Sequence, residues 1–201
     1  MRTDIPLGER RFLILAHRAE ASGDFSLNDL PGAGRIDAIS SAIVSSLLFS
    51  NGIRKDASVC ITFPEHGWRR CVIFSGSHMK YLNPDERSTA ALLRNALVKG
   101  SKDMEGASSP GVYFFRAQLV NLLKYMSSDA ELFYLNEKGE ANTTFNLPAL
   151  FVLGDVDDPT VEEETIMAQL NARRISISNR SLQTGQCITV LNWLLDNNGK
   201  F

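Results

Sequence analysis

From residue 130 onwards, short apolar runs that favour β-strands alternate with amphipathic runs that favour helices. Strand followed by helix, repeated without a break, is typical of an α/β fold with a mainly parallel sheet. The run LPALFVLG is apolar almost throughout, which predicts a central strand covered on both faces. The predicted strands are 130–136, 147–154 and 173–178, and the predicted helices are 158–172 and 184–197.

The first half of the chain predicts a mixture of the same elements. An opening strand at 10–19 precedes a helix at 35–53 that ends at an Asn-Gly pair. PEHG joins two further strands as a hairpin turn. We expect strands at 57–63 and 68–76, helices at 83–101 and 112–128, and a loop at 106–111. No segment has the composition of a linker, so the prediction is one domain spanning 1–201.

Composition excludes several classes of function. The 201 residues carry a net charge of −2, so a nucleic-acid role would depend on local basic clusters rather than on overall charge. The three cysteines form no CxxC pair and the three histidines have no ligand spacing, so we expect no metal site and no disulfide framework. The histidines are expected in ordinary packing or surface roles. No run is long enough to cross a membrane, and we expect a cytoplasmic protein.

The turn PGAGRID at 31–37 allows two interpretations. Closely spaced glycines before a helix bring backbone N–H groups towards an anion, so the turn is a candidate phosphate site. It lacks the Lys-Ser/Thr ending of a P-loop, and Asp37 stands where a dinucleotide fingerprint has its third glycine. The alternative is a tight turn that only begins a helix. Arg35 and Asp37 then either face one ligand together or form an ion pair.

A second candidate site lies at the ends of the C-terminal strands. Ligands of open α/β sheets bind beyond the carboxyl ends of the strands, so Leu135, Gly154 and Ser176–Ser178 should converge. Their mild chemistry suits an adenosine better than a substrate that needs acid–base attack. The alternative is that they are ordinary strand ends with no ligand. The acids of GDVDDPT at 154–160 favour a solvated loop over a metal site. Cys187 lies in a first helical turn, where the helix dipole can lower a thiol pKa, but contact with a ligand is the preferred role.

Six short blocks, spread along most of the chain, carry a family resemblance. The blocks are, in chain order, DLPGAGRID, NPDERS, FYLNEKGE, FVLGD, RISIS and CITVLNWLLD. Together they resemble the TrmY family of the SPOUT superfamily, the archaeal tRNA pseudouridine N1-methyltransferases. The resemblance implies an α/β fold with a C-terminal trefoil knot, a homodimer, and S-adenosylmethionine bound in the knot.

The same resemblance implies roles for individual residues. Arg35 would hold a phosphate or base carbonyl, and Asp37 would accept the N1 proton of the target or hydrogen-bond its base. Arg87 would pair with Asp37 or contact RNA. The substrate would be a tRNA or another RNA that contains pseudouridine. The implied cofactor-binding residues are Leu135, Gly154, Ser176, Ile177, Ser178, Leu182 and Cys187.

Two segments depart from the family pattern. VDDPT replaces a glycine-rich continuation and adds negative charge that would weaken RNA approach, and 179–186 differs from the family version. We expect a bacterial origin, so the resemblance supports the cofactor better than the tRNA substrate. The alternative to a methyltransferase is a non-catalytic protein of the same fold that binds RNA or the cofactor. The candidate dimer faces are 112–126 and the last helix, with Trp193, Leu194 and Leu195, and the alternative is that their apolar residues belong to the core.

Overall fold

The computed structural model describes residues 4–141 and 143–197, which form an eight-stranded sheet with helices on both faces. A short two-stranded sheet, β2 with β3, lies apart from it. The strands are β1 (Arg10–Leu15), β2 (Leu48–Phe49), β3 (Gly52–Ile53), β4 (Ala57–Glu65), β5 (Trp68–Ser75), β6 (Glu105–Ser109), β7 (Val112–Ala117), β8 (Glu131–Glu140), β9 (Ala149–Gly154) and β10 (Arg173–Ile175). The helices are α1 (Ile36–Leu47), α2 (Glu86–Lys102), α3 (Leu119–Met126), α4 (Val161–Gln169) and α5 (Thr184–Asp196).

The order of the strands, β10-β8-β9-β1-β4-β5-β7-β6, confirms the predicted α/β class. The five strands from β10 to β4 are parallel, and β5, β7 and β6 extend the sheet antiparallel. β1 lies between β9 and β4, with Leu15 opposite Gly154 on one side and Thr62 on the other. The carboxyl ends of these parallel strands therefore meet at one edge. The trefoil knot stays a prediction.

Alternating side chains of the buried strands build a core on each face of the sheet. Phe12 and Ile14 of β1 pack with α1, α2 and α5, whereas Leu13 and Leu15 pack with α3 and α4. Phe151 of β9 stacks on Phe12 and on Phe133, with ring centroids 5.9 and 5.4 Å apart. Truncating such a buried ring to alanine costs about 3–5 kcal/mol. This rigid centre holds the strand ends in place.

The predicted loop at 106–111 and helix at 112–128 are wrong over most of their length. Residues 105–117 form the β6–β7 hairpin, turning at Pro110 and Gly111, and only Leu119–Met126 is helical. The aromatic run of β7 favours a strand, and β5 supplies its pairing partner. The apolar residues of α3 are buried in the core of this chain, which favours the core role over the dimer role for the first candidate face.

Other boundaries differ more modestly. α1 ends at Leu47, and the Asn-Gly pair belongs to the β2–β3 hairpin instead of ending the helix. β8 continues through the EKGE segment to Glu140, and β10 ends at Ile175. The β4–β5 hairpin is confirmed, as is the capping box of Thr160 with Glu163 at the start of α4. No helix within 4–141 and 143–197 combines the length and hydropathy needed to cross a membrane.

Candidate functional site

An open cleft lies beyond the ends of β8, β9 and β10. Its position is the one expected for a ligand of an open α/β sheet. The structure brings together all seven residues that sequence reasoning placed at a cofactor. The cleft is lined by Leu135, Gly154, Ser176, Ile177, Ser178, Leu182 and Cys187, together with Asn136, Glu137, Leu153, Asp155, Val156, Asp157, Asp158, Ile175, Arg180, Ser181 and Thr184.

Backbone contacts hold the walls of this cleft in place. The side chain of Thr184, at the start of α5, donates to the carbonyl of Gly154 at 2.8 Å and also bonds the carbonyl of Asp155. A side chain on Gly154 would lie 2.0 Å from the carbonyl oxygen of Asp157, so the loop can fold back only over glycine. Glycine is therefore required at position 154 because the loop that follows it folds back onto it.

The opposite wall depends on a close approach between β8 and the chain after β10. A Cβ atom on Gly139 would lie 2.3 Å from the backbone of Ile175, and the amide of Ser176 donates to the carbonyl of Glu140 at 2.9 Å. Ser178 then accepts from the amide of Arg180 at 3.1 Å. These contacts fix 175–180 as a folded loop that faces Gly154.

Cys187 contributes a buried thiol to the cleft. Burial raises its pKa to about 11, so the idea that the helix dipole activates this thiol is wrong. A thiol that stays protonated behaves as a small apolar group. The structure agrees with a packing role for Cys187 and gives no support for a nucleophile.

The chemistry of the cleft fits S-adenosylmethionine. Aliphatic side chains from three strand ends, among them Leu153 and Ile177, offer an apolar wall for an adenine ring. The carboxylates of Glu137 and Asp158 suit ribose hydroxyls or positive charge on the sulfonium and amino groups. Arg180 lies at the rim and is a suitable partner for the methionine carboxylate.

The acidic loop after β9 is neutralised more than the sequence suggests. Asp157 forms a two-bonded ion pair with Arg18, with N–O distances of 2.6 and 2.7 Å. The side chain of Asp155 is buried and contacts Nδ1 of His17 at 3.3 Å. Two of the three acids therefore have a cationic partner, so the expected obstacle to RNA is reduced.

The ordinary packing or surface role expected of His17 is wrong, because the structure places its ring between two carboxylates. Its Nε2 lies 2.9 Å from Oε2 of Glu163, opposite the contact with Asp155. Hydrogen bonds to Asp155 and then to Glu163 raise the pKa of His17 to about 9, so the ring is an imidazolium at neutral pH. The only signal in the sequence was position: His17 lies two residues after the end of the central strand β1.

The turn at 31–37 uses its own amide groups internally. The amide of Gly32 donates to Asp29, and those of Ala33, Arg35 and Ile36 donate to backbone carbonyls of Leu30 and Pro31. Gly34 has a φ of +72°, and a Cβ there would lie 2.4 Å from the carbonyl oxygen of Arg18. These observations favour a tight turn that begins α1 over a phosphate cradle.

Arg35 and Asp37 form an ion pair at the start of α1. The guanidinium donates to both carboxylate oxygens, with Nε–Oδ1 and Nη2–Oδ2 distances of 3.0 Å. The hydrogen bond from Arg35 lowers the pKa of Asp37, which is therefore ionised at neutral pH. Arg35 has a φ of 66°, a left-handed conformation that non-glycine residues adopt mainly where the surroundings impose it.

Arg18 connects this turn to the cleft. Its carbonyl contacts Gly34, and its side chain holds Asp157 in the cleft wall. Arg87 instead bonds the carbonyl of Leu27 and the side chain of Asn28, so its expected pairing with Asp37 is wrong. The two predicted sites thus lie at the same edge of the sheet.

Three pairs of adjacent basic residues, which are candidates for phosphate contacts, each include a side chain in an internal ion pair: Arg54-Lys55, Arg69-Arg70 and Arg173-Arg174. Arg54 pairs with Asp196, Arg69 with Glu163 and Arg70 with Glu65. In the part of the chain that the structure describes, no group of three or more potential ligands could hold a metal ion.

Comparison with known proteins agrees with this geometry. A family model described as "Putative SAM-dependent RNA methyltransferase" matches residues 9–200. The tRNA (pseudouridine(54)-N(1))-methyltransferase of Methanococcoides burtonii is 39% identical over 199 residues, covering 94% of this chain and 96% of that protein. The enzyme of the same name from Methanosarcina acetivorans is 40% identical over 194 residues, covering 93% and 90%.

A solved structure shares the fold. The crystal structure of Archaeoglobus fulgidus Nep1 bound to S-adenosylhomocysteine matches with a TM-score of 0.63 at 11% identity, covering 94% of this chain and 98% of that one. The expected family resemblance is confirmed by the extent and identity of the sequence matches. The chain belongs to this family of S-adenosylmethionine-dependent RNA methyltransferases, together with the archaeal tRNA (pseudouridine(54)-N(1))-methyltransferases.

Proposed function

We propose that this protein transfers a methyl group from S-adenosylmethionine to N1 of pseudouridine, in tRNA at position 54. The observation that carries the proposal is the cleft at the strand ends, which is lined by all seven residues implied to bind the cofactor. The relatives named for this reaction match more than nine-tenths of the chain. Reaction on tRNA would place the protein in the cytoplasm.

The chemistry asks little of the protein. S-adenosylmethionine supplies a methyl group activated by the sulfonium. Its S–CH₃ bond breaks as the methyl is transferred, the electron pair stays on sulfur, and S-adenosylhomocysteine leaves. Pseudouridine is joined to its sugar through carbon, so N1 carries a hydrogen that is lost as the N–CH₃ bond forms. The protein must align N1 with the methyl carbon and accept that proton.

Asp37 and Arg35 are the groups we assign to the nucleoside. A carboxylate with a lowered pKa is a weak base, so Asp37 would first accept a hydrogen bond from N1–H. It would take the proton only as the new bond forms and N1–H becomes more acidic. Arg35 would exchange part of its bond with Asp37 for a carbonyl or phosphate of the RNA.

A homodimer would complete the site. In the resembling family the turn that carries Arg35 faces the nucleoside across the dimer. The last helix remains the candidate face, since Trp193 is 52% exposed and borders a groove with Phe145 and Ile177 next to the cleft. Replacing Trp193 by Glu should convert a dimer to monomer in sedimentation velocity. A wild-type monomer at micromolar concentration would refute this arrangement.

The first test is calorimetric titration with S-adenosylmethionine and S-adenosylhomocysteine. Leu182→Arg places a charge in the cleft outside the main core and should abolish binding. Val98→Arg, a change of similar kind on the exposed side of α2, is the matched control. Absence of binding to folded wild-type protein would refute the proposal.

The second test follows methyl uptake by two tRNA transcripts that differ only in pseudouridine or uridine at position 54. Methylation of the pseudouridine transcript alone is expected. Asp37→Ala should lose transfer and keep cofactor affinity. Cofactor binding without transfer to any RNA fraction would instead favour the non-catalytic alternative.

A further inference from the structure

We propose that His17 is a positioning residue that holds the 154–158 loop in the shape required to bind S-adenosylmethionine. The inference rests on the proposed function, because it assigns the cleft to that cofactor. β1 and β9 are parallel neighbours with Leu15 opposite Gly154, so His17 emerges beside the first residues of the loop. His17 lies behind the residues that line the cleft, so its effect would pass through Asp155.

Asp155 is the point at which His17 holds the loop. The side chain of Asp155 is fully buried and accepts from the backbone amide of His17 at 3.0 Å, besides its contact with the ring. The same carboxylate accepts from the amide of Asp157 at 3.1 Å. One side chain thus connects the end of β1 with both ends of the short turn that follows Gly154.

Glu163 holds the other side of the imidazole. Its carboxylate accepts from the amide of Thr160 at 2.8 Å and pairs with Arg69, and only 4% of its side chain is exposed. Although burial raises the pKa of Glu163, the hydrogen bond from His17, with that from Thr160 and the charge of Arg69, lowers it to about 2. His17 therefore joins the cleft loop to the rigid start of α4.

Only the protonated ring can make both contacts. An imidazolium donates from both nitrogens, whereas the neutral ring donates from one and turns a lone pair towards an ionised carboxylate. The charged groups that face the ring are Asp155 and Glu163, with Asp157 and Arg69 next to them. Loss of the proton would release one of the two carboxylates from the ring. The backbone amide of His17 would still hold Asp155, but the connection through the imidazole between the loop and α4 would be broken.

The test compares S-adenosylhomocysteine affinity of wild-type protein and His17→Asn across a pH series. At about pH 7 the variant should bind roughly fivefold or more weakly. The ligand's own amino group also titrates, so the readout is the ratio of the two dissociation constants. That ratio should fall towards one as the pH passes about 9, where the wild-type ring loses its proton. His78→Asn, at an exposed histidine bonded to Tyr113, is the matched control and should leave the affinity unchanged.

A second measurement needs no ligand. Peptides that cover 154–158 should exchange amide hydrogen faster in His17→Asn than in wild-type protein or His78→Asn. Should His17→Asn fold poorly, Glu163→Gln takes its place in the test. This variant removes one of the two carboxylates that raise the pKa of His17, so its affinity for S-adenosylhomocysteine should fall at a lower pH than that of wild-type protein.

The outcomes separate this inference from the proposed function. Any one of three results for His17→Asn would overturn the role of His17. These are a ratio of dissociation constants that stays constant with pH, an affinity for S-adenosylhomocysteine within twofold of wild type at about pH 7, and unchanged amide exchange of the 154–158 loop. Failure of wild-type protein to bind S-adenosylhomocysteine, with exchange still dependent on His17, would overturn the proposed function instead.

Discussion

Replacing Gly34 by alanine should destabilise the fold by about 3 kcal/mol. The left-handed φ of +72° costs a residue with a Cβ about 1 kcal/mol. The added carbon would lie 2.4 Å from the carbonyl of Arg18 and 2.6 Å from the Cα of Ala19, and relieving such contacts in a packed region costs about 2 kcal/mol. Neither neighbour is a flexible side-chain end, so the backbone itself must shift. In a chain of this size the loss corresponds to a melting temperature lower by about 6–12 °C.

Gly32→Ala is the matched control, two residues earlier in the same turn. Its Cβ would meet the carboxylate of Asp29, an exposed side chain that can rotate away. The cost is one hydrogen bond at the surface, about 1 kcal/mol or less. Urea and thermal unfolding by circular dichroism, at equal protein concentration, measure both variants. If Gly34→Ala were no less stable than Gly32→Ala, the assignment of the turn's shape to Gly34 would be refuted.

Three other predictions concern the cleft. The pKa of His17 is raised from 6.5 to about 9, so protonation of its ring stabilises the folded state by about 3 kcal/mol. This contribution is fully present below about pH 6.5 and is lost as the pH rises through 9. The difference in unfolding free energy between wild type and His17→Asn should shrink over that range, and a pH-independent difference would contradict it. Thr184→Val removes the hydrogen bonds to Gly154 and Asp155, and should cost about 1–3 kcal/mol in urea unfolding. Stability equal to wild type would show that these bonds contribute nothing. Cys187, with its pKa raised from 9.0 to about 11, should be alkylated roughly 100-fold more slowly than a free thiol near pH 8, and more slowly still with S-adenosylhomocysteine present, as measured by intact mass. Alkylation at the rate of free cysteine would place this thiol in solvent.

The sequence was sufficient for the cleft because its geometry follows from chain direction. Parallel strands place their carboxyl ends at one edge, so residues as distant as Leu135 and Ser178 could be brought together from the order of elements alone. Leu182 and Cys187 joined them only through the family resemblance. β9 is buried from Ala149 to Leu153, and that continuous apolar run identified it as an interior strand.

The hairpin at 105–117 was missed for a non-local reason. Val112–Ala117 pairs with Arg69–Phe74, about 40 residues earlier, and nothing near the run VYFFRA specifies that partner. Apolar residues continue from the strand into α3 with only Gln118 between buried positions, so a single amphipathic helix fits the local pattern equally well. Pairing along the sheet decides between the two.

The role of His17 lies beyond local sequence for a related reason. Its partners Asp155 and Glu163 are 138 and 146 positions away, and its charge depends on both. A histidine preceded by two apolar residues and followed by an arginine gives no sign that two buried carboxylates surround it. The same distance explains why DVDD looked like an exposed acidic loop.

The cleft keeps side chains of both charges after these pairings. His17 and Arg18 balance Asp155 and Asp157, which leaves Asp158, Glu137 and Arg180 in the lining. A ligand with a cationic sulfonium and amino group and an anionic carboxylate matches that mixture better than a nucleotide, whose phosphates would meet the acids. Within the described residues, the cationic side chains nearest the acidic loop are already paired, so RNA phosphates would have to compete with Asp157 for Arg18 and with Asp37 for Arg35. Under the proposed function, RNA that displaced Asp157 from Arg18 would release a residue of the cleft wall, so Arg18 is the point at which substrate binding would reach the cofactor loop.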